Sequence, residues 1–155
     1  MTILLVRHAR AGRRDRWKGD DRLRPLSNKG KAQARALPDL LAEWIQPGPP
    51  RLLSSPWVRC IESLAPLSSR VNVPIEPEDT LAEGMGDKAV EMLPGRLGRR
   101  TTVLCTHGDV VERILGWLQQ QGVDLGPKPQ APKGSVWVLE GTRAVRRASY
   151  LAPPA

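Results

Sequence analysis

The sequence predicts an α/β fold: a three-layer sandwich in which a central, mostly parallel sheet lies between helices, with a hairpin at its C-terminal edge. Three observations predict it. Strand-like apolar runs alternate with helical ones along the whole chain. Two runs, Ile3 to Val6 and Thr101 to Thr106, read as buried strands. The last two runs, "SVWVLE" and "TRAVRRASYL", surround Gly141-Thr142 as the arms of a hairpin surround its turn.

Each element follows in order. The first strand spans Thr2 to Arg7, and a polar, charged loop of about twenty residues follows it, long enough for a compact domain to suggest a functional role. Ser27 can cap the next helix, where Ala36/Leu37, Leu40/Leu41 and Trp44/Ile45 repeat every four residues. Pro38 cannot donate to the carbonyl of Ala34 and should kink this helix, and "QPGPP" should end it. A short strand, Arg51 to Ser54, leads to a helix with Ser55 as cap and Pro56 at its first position. Val71 to Ile75 reads as a weak strand and Asp87 to Leu97 as a weak helix. After the Thr101–Thr106 strand and His107-Gly108, a helix runs from about Asp109 to Gln121, with Val110, Ile114, Trp117 and Leu118 on one face.

Composition bounds the function. The 155 residues fit a single domain, 1–155, that is 40% hydrophobic and 26% charged. No run approaches the ~18 apolar residues of a membrane span. The first strand starts at Thr2, which leaves no room for a signal peptide, so a cytoplasmic location and no membrane partner are expected. Cys60 and Cys105 fit a reducing compartment as small buried residues. The net charge is +8, with 18 Arg to 6 Lys, and arginine forks match phosphate oxygens. The cations are scattered apart from "RHARAGRRDRWKGDDRLR", no nucleic-acid motif accompanies them, and codon bias in a GC-rich genome accounts for arginine excess with no Phe. Nucleic acid is therefore not an expected partner.

The chain has two histidines, His8 and His107, and each falls just past the carboxyl end of a predicted strand, where open α/β sheets place their ligands. Zinc would need Cys105 as a third ligand. Cys105 lies two residues before His107 within a strand, and no Cys-x-x-Cys or His-Glu-x-x-His spacing supports it. A cysteine phosphatase loop needs Cys-x5-Arg, whereas Arg113 lies eight residues after Cys105. There remains histidine as a nucleophile toward phosphorus: a neutral imidazole can form a phosphohistidine. In-line transfer needs positive charge around the equatorial oxygens, and Arg7, Arg59 and a protonated His107 can supply it, Arg59 from about one turn into a helix.

"LLVRHARAG", "PLSNKGKAQARAL", "SSPWVRCIES" and "CTHGDV", in this order, resemble the successive motifs of the histidine phosphatase superfamily, and the resemblance covers nearly the whole chain. It implies His8 as nucleophile, Arg7 and Arg59 as phosphate clamps, His107 as a further contact, and Glu83 of "TLAEG" as the acid that protonates the leaving group; Glu78, Asp79 and Asp109 are its rivals. "WKGDD" is similar to the family's aromatic-x-Gly stretch and makes Lys18 a candidate substrate contact. The usual Arg-His-Gly is here Arg-His-Ala, tolerable if Ala9 keeps a negative φ. Ala11 stands where mutases have Ser or Thr, and there is little room for their roofing insertions, so the resemblance points to the small SixA-type branch. "PKGSVWVL" further resembles the phosphatase-like C-terminal domain of some actinobacterial Nudix hydrolases, which implies a separate Nudix hydrolase as one partner. The implied function is a metal-independent and cofactor-free phosphatase whose substrate is a phosphohistidine protein or a phosphorylated metabolite or nucleotide. The alternative is a non-catalytic phosphoprotein- or nucleotide-binding module on the same fold, against which the presence of His107 speaks.

Overall fold

The computed structural model describes residues 1–45 and 48–154. Six strands form one sheet: β1 (Thr2–Arg7), β2 (Arg51–Ser54), β3 (Ile75–Pro77), β4 (Thr102–Thr106), β5 (Val136–Gly141) and β6 (Val145–Leu151). Their order is β3-β2-β4-β1-β5-β6; the first four run parallel, and β5 pairs antiparallel with both β1 and β6. The helices are α1 (Asn28–Leu41), α2 (Val58–Val71), α3 (Gly86–Met92) and α4 (Gly108–Gln120).

The three layers follow from strand alternation. Ile3 and Leu5 of β1 pack with Leu104, Val110, Ile114 and Leu93 on one face. Leu4 and Val6 pack with Leu37, Leu41, Leu64, Leu67 and Val103 on the other. Successive side chains point to opposite faces, so an unbroken apolar run is what a strand covered on both sides requires. Each of the fully buried leucines contributes about 1.5–3 kcal/mol relative to exposure. The edge hairpin forms as its sequence indicates, with β5 between β1 and the outer β6 and a register shift at Glu140/Gly141.

Three element boundaries away from the strand mouths differ from the sequence reading. The α-helix of α1 runs on through Pro38, which is buried, and stops at Leu41; residues Ala42–Trp44 tighten into a 3-10 turn, so Trp44 and Ile45 lie beyond the α-helical stripe. Of the expected helix end in "QPGPP", Gln46 and Pro47 lie outside the described residues. The weak strand expected at Val71–Ile75 instead begins at Ile75. Helix α2 holds Val71, and Asn72 closes it in the left-handed conformation (φ 55°, ψ 46°), with Val73 N–H donating to the Ser68 carbonyl. The weak helix of 87–97 is α-helical only to Met92; Pro94, which has no N–H to donate, lies in a following 3-10 turn, Leu93–Arg96.

Candidate active site

Strands β1 and β4 lie side by side and parallel, so the residues that follow them emerge together. The ladder continues one residue past each strand: His8 N–H donates to the Thr106 carbonyl at 3.0 Å, and Ser55 N–H to that of Cys105 at 2.9 Å. His8 and His107 therefore face each other, ring centroids 5.5 Å apart at 67°. Both are almost completely buried.

The His8 ring is oriented by its backbone. Nδ1 lies 2.7 Å from the Ala9 carbonyl, an acceptor only, so Nδ1 carries the hydrogen and Nε2 keeps its lone pair. Burial pushes the His8 pKa down to about 3; the bond to the Ala9 carbonyl opposes this, while the charges of His107, Arg59 and Arg7 reinforce it. The imidazole is thus neutral at physiological pH. Ala9 donates its N–H to Ser63 Oγ at 2.9 Å. Among the described residues Asn72 is the only non-glycine with positive φ, so alanine after the histidine is unstrained.

His107 caps α4 with extended backbone and touches Ser55 Oγ through Nε2 at 2.9 Å. Here the sequence reading is corrected. Ser55 does not cap a helix starting at Pro56: α2 begins at Val58 after Trp57, and the Ser55 hydroxyl accepts from Trp57 N–H at 3.3 Å, in the turn before the helix, while meeting His107. His107 Nδ1 is buried without a partner, and the edge of the ring meets Trp57 at 4.7 Å between centroids. Cys60 Sγ lies 3.6 Å from Nε2, and both cysteines are free and buried.

Arg59 sits in the first turn of α2 and is 1% exposed. Its guanidinium lies 4.8 Å from the centroid of the Trp57 ring, donates to the Asp21 carbonyl at 2.9 Å, and reaches Asp21 Oδ2 at 3.3 Å and Glu83 Oε1 at 3.6 Å. Burial lowers its pKa and the Asp21 carboxylate opposes that. Arg7 donates from Nη1 to the Ala131 carbonyl at 2.7 Å, and its Nε is buried without a partner. The guanidinium lies across the start of α4, against a glycine: a Cβ on Gly108 would come within 2.7 Å of Arg7 Cζ and displace it.

Arg7, His8, Arg59 and His107 line one cavity of about 610 Å³ that Glu83 and Asp109 also reach. Of the four carboxylates weighed as acids, Glu78 is instead paired with Arg96 at 3.0 Å, and Asp79 lines a neighbouring cavity. Asp109 accepts from Gly84 N–H at 2.8 Å and so fixes the turn that carries Glu83. Lys18 is exposed and does not line the cavity. Sequence reasoning passed over Arg10, Arg14, Arg24, Glu112 and Lys133, which do line it. The Arg-rich loop signalled the first three; nothing near Lys133 in the chain marked it. No helix of the described residues is long and apolar enough to cross a membrane, and among them no three His, Cys, Asp or Glu side chains cluster as a metal-ligand set. The arrangement can place a neutral imidazole lone pair against an anionic centre held by fixed cations.

The chain is 35% identical over 161 aligned residues to the 8-oxo-(d)GTP phosphatase of Mycolicibacterium smegmatis, an alignment that covers 99% of this chain and 48% of that protein. It thus spans about half the length of this curated relative. Its backbone resembles the protein histidine phosphatase SixA complexed with tungstate (TM-score 0.77, 18% identity, 98% of this chain and 95% of that one). It also resembles the mycobacterial glucosyl-3-phosphoglycerate phosphatase bound to VO3 (TM-score 0.68, 15% identity, 97% of each chain). At these identities the likeness concerns the fold. The histidine phosphatase superfamily (branch 1) matches residues 3–88. Since that stretch is more than half of the chain and carries Arg7, His8 and Arg59, the chain belongs to the histidine phosphatase superfamily.

Proposed function

We propose that the chain is a phosphatase that passes the phosphoryl group of its substrate to His8 and then to water, without a metal. The observation that carries this reading is the state of His8: buried, neutral, its Nδ1–H tied to the Ala9 carbonyl and its Nε2 lone pair free among cations. In the first step Nε2 bonds to phosphorus and the bond from phosphorus to the leaving oxygen breaks, its electron pair departing with that oxygen. Glu83 is the candidate donor of the proton that oxygen takes up. In the second step a water oxygen bonds to phosphorus, the N–P pair returns to Nε2, and the water's proton passes to Glu83. Arg7, Arg59 and His107 stabilise the charge on the equatorial oxygens throughout, and because they are already fixed they need no reorganisation.

The substrate is a phosphorylated small molecule or nucleotide, or a phosphohistidine protein; the 8-oxo-(d)GTP in the relative's name supports the nucleotide. The test uses a radioactive phosphoryl donor and a generic aryl phosphate. Wild type should acquire acid-labile, base-stable label and hydrolyse the ester at the same rate after extensive chelation, and His8→Ala should do neither. Label that persists in His8→Ala removes the nucleophile assignment, and a rate lost on chelation and restored by a divalent cation removes the metal-free reading.

A further inference from the structure

The cavity holds more positive charge than one phosphoryl group needs. Seven arginine and lysine side chains line it against three carboxylates. Some are already matched: Arg24 and Arg14 reach Asp21 at 2.8 and 3.6 Å, and Arg13 pairs with Asp15 at 2.6 Å. Beyond Arg7, assigned above to the attacked phosphoryl group, Arg10 and Lys133 have no carboxylate within ion-pair distance among the described residues. Lys133 has its pKa lowered, first by partial burial and then by the charges of Arg7, Arg24, Arg10 and Arg14, as expected of clustered cations that lack their anion.

Both unmatched cations stand on fixed backbone. Arg10 N–H donates to Gln33 Oε1 at 3.0 Å, and its carbonyl accepts from Ser27 N–H at 3.0 Å and Ser27 Oγ at 3.1 Å. Its carbonyl also lies so close to α1 that a Cβ on Gly30 would come within 1.8 Å of it. Lys133 precedes Gly134, whose N–H reaches the carbonyls of Arg7 and His8 at 3.2 and 3.0 Å. Gly134 packs against the same Gln33, at 3.2 Å from where its Cβ would be. One buried glutamine thus supports both segments, and the nucleophile's own backbone positions the lysine.

We propose that Arg10 and Lys133 form a second anion subsite that holds the phosphate next to the one attacked, so that the substrate is a small-molecule phosphoanhydride, a di- or triphosphate. This rests on the reading of His8 as nucleophile, which sets the terminal phosphoryl against Nε2. As that bond forms, the bond from the terminal phosphorus to the bridging oxygen breaks, and its electron pair goes to the shortened phosphate. A phosphate is less basic than an alkoxide and leaves without needing a proton; the rim cations hold it as it departs, and water then releases His8 as above.

Isothermal titration of the full chain carrying His8→Ala, with inorganic phosphate and with pyrophosphate as probes, tests the subsite without turnover. Pyrophosphate should bind tighter by on the order of tenfold or more, as one added set of charge-assisted hydrogen bonds provides. Adding Arg10→Gln and Lys133→Gln, in protein shown by thermal melting to be folded, should remove most of that advantage and weaken phosphate much less. Equal affinities, or a parallel loss for both probes, overturn the subsite. Wild-type turnover of an aryl phosphate separates the two readings: its absence with the pyrophosphate preference intact sinks the phosphatase and leaves the subsite. Faster turnover of a phosphohistidine peptide than of any phosphoanhydride overturns the substrate class.

Discussion

At the mouths of β1 and β4 the candidate catalytic groups are held by backbone and burial: His8 through the Thr106 and Ala9 carbonyls, His107 by Ser55, Arg59 inside the first turn of α2. The loop above them, residues 10–24, is mostly exposed and is held largely by side-chain charge. Arg22 pairs with Asp20 at 2.6 Å, Arg13 with Asp15, and Asp21 gathers Arg14, Arg24 and Arg59. Exposed pairs such as Arg22–Asp20 and Arg13–Asp15 contribute little and are screened by salt, whereas Arg59 is buried and also donates to the Asp21 carbonyl. The difference teaches where chemistry and recognition separate: changes at the mouths should alter turnover, and changes in the loop should alter affinity.

The largest expected effect tests the mouths directly. Arg59→Ala should lower kcat by ~10²–10³ and change KM much less, and Arg59→Lys should recover little, because a point charge does not replace a fork. The double variant with His107→Ala should lose less than the product of the single losses, since the proposed mechanism has both serve one phosphoryl group. A large rise in KM with kcat intact would make Arg59 a substrate handle and erase the contrast with the loop.

Next comes Gly108→Ala. The added methyl meets only the end of the flexible Arg7 side chain, so the fold can accept it while the guanidinium moves. The melting temperature should change little, and kcat should fall by up to about 10²-fold. Unchanged kinetics would mean that Arg7 does not act from the position it holds in the structure.

The pH dependence follows from His8. Its folded pKa of about 3 lies below the unfolded value of 6.5, so the unfolded chain binds the extra proton between those limits. Stability is therefore fully present above about pH 6.5 and is lost as the pH falls toward 3. Expressed per substrate dianion, kcat/KM should show no limb near pH 6.5; urea melts from pH 7 to 4 should show the falling stability. A rate that titrates at 6.5 and a flat stability profile would show His8 solvated and the mouth open.

The smallest effect belongs to the loop. Lys18→Ala should change kcat and KM by less than about twofold, because Lys18 is exposed and outside the cavity. A KM raised tenfold would show the loop folding down over substrate and would extend the recognition surface to its exposed side.

Much of this site was legible because its signals are local. An apolar run ending in Arg7-His8, another ending in His107-Gly108, and Arg59 one turn into a helix are each visible within ten residues of chain. The strand boundaries at β1 and β2 and the edge hairpin were legible for the same reason. Lys133, Gln33 and Ser55 were not. Lys133 reaches the site only because β5 runs antiparallel beside β1, which lets the Gly134 N–H close on the Arg7 and His8 carbonyls across more than a hundred residues. Gln33 reads as one more polar helix residue until α1 packs against both rim segments, and Ser55 reads as a cap until β2 and β4 lie side by side and bring His107 to its hydroxyl. By itself the sequence determined which groups could do chemistry and which strand ends present them, since periodicity and burial are properties of short windows. The tertiary structure alone decided the partners of those groups, because hydrogen bonds and like-charge crowding depend on distances that only the order and direction of the strands set.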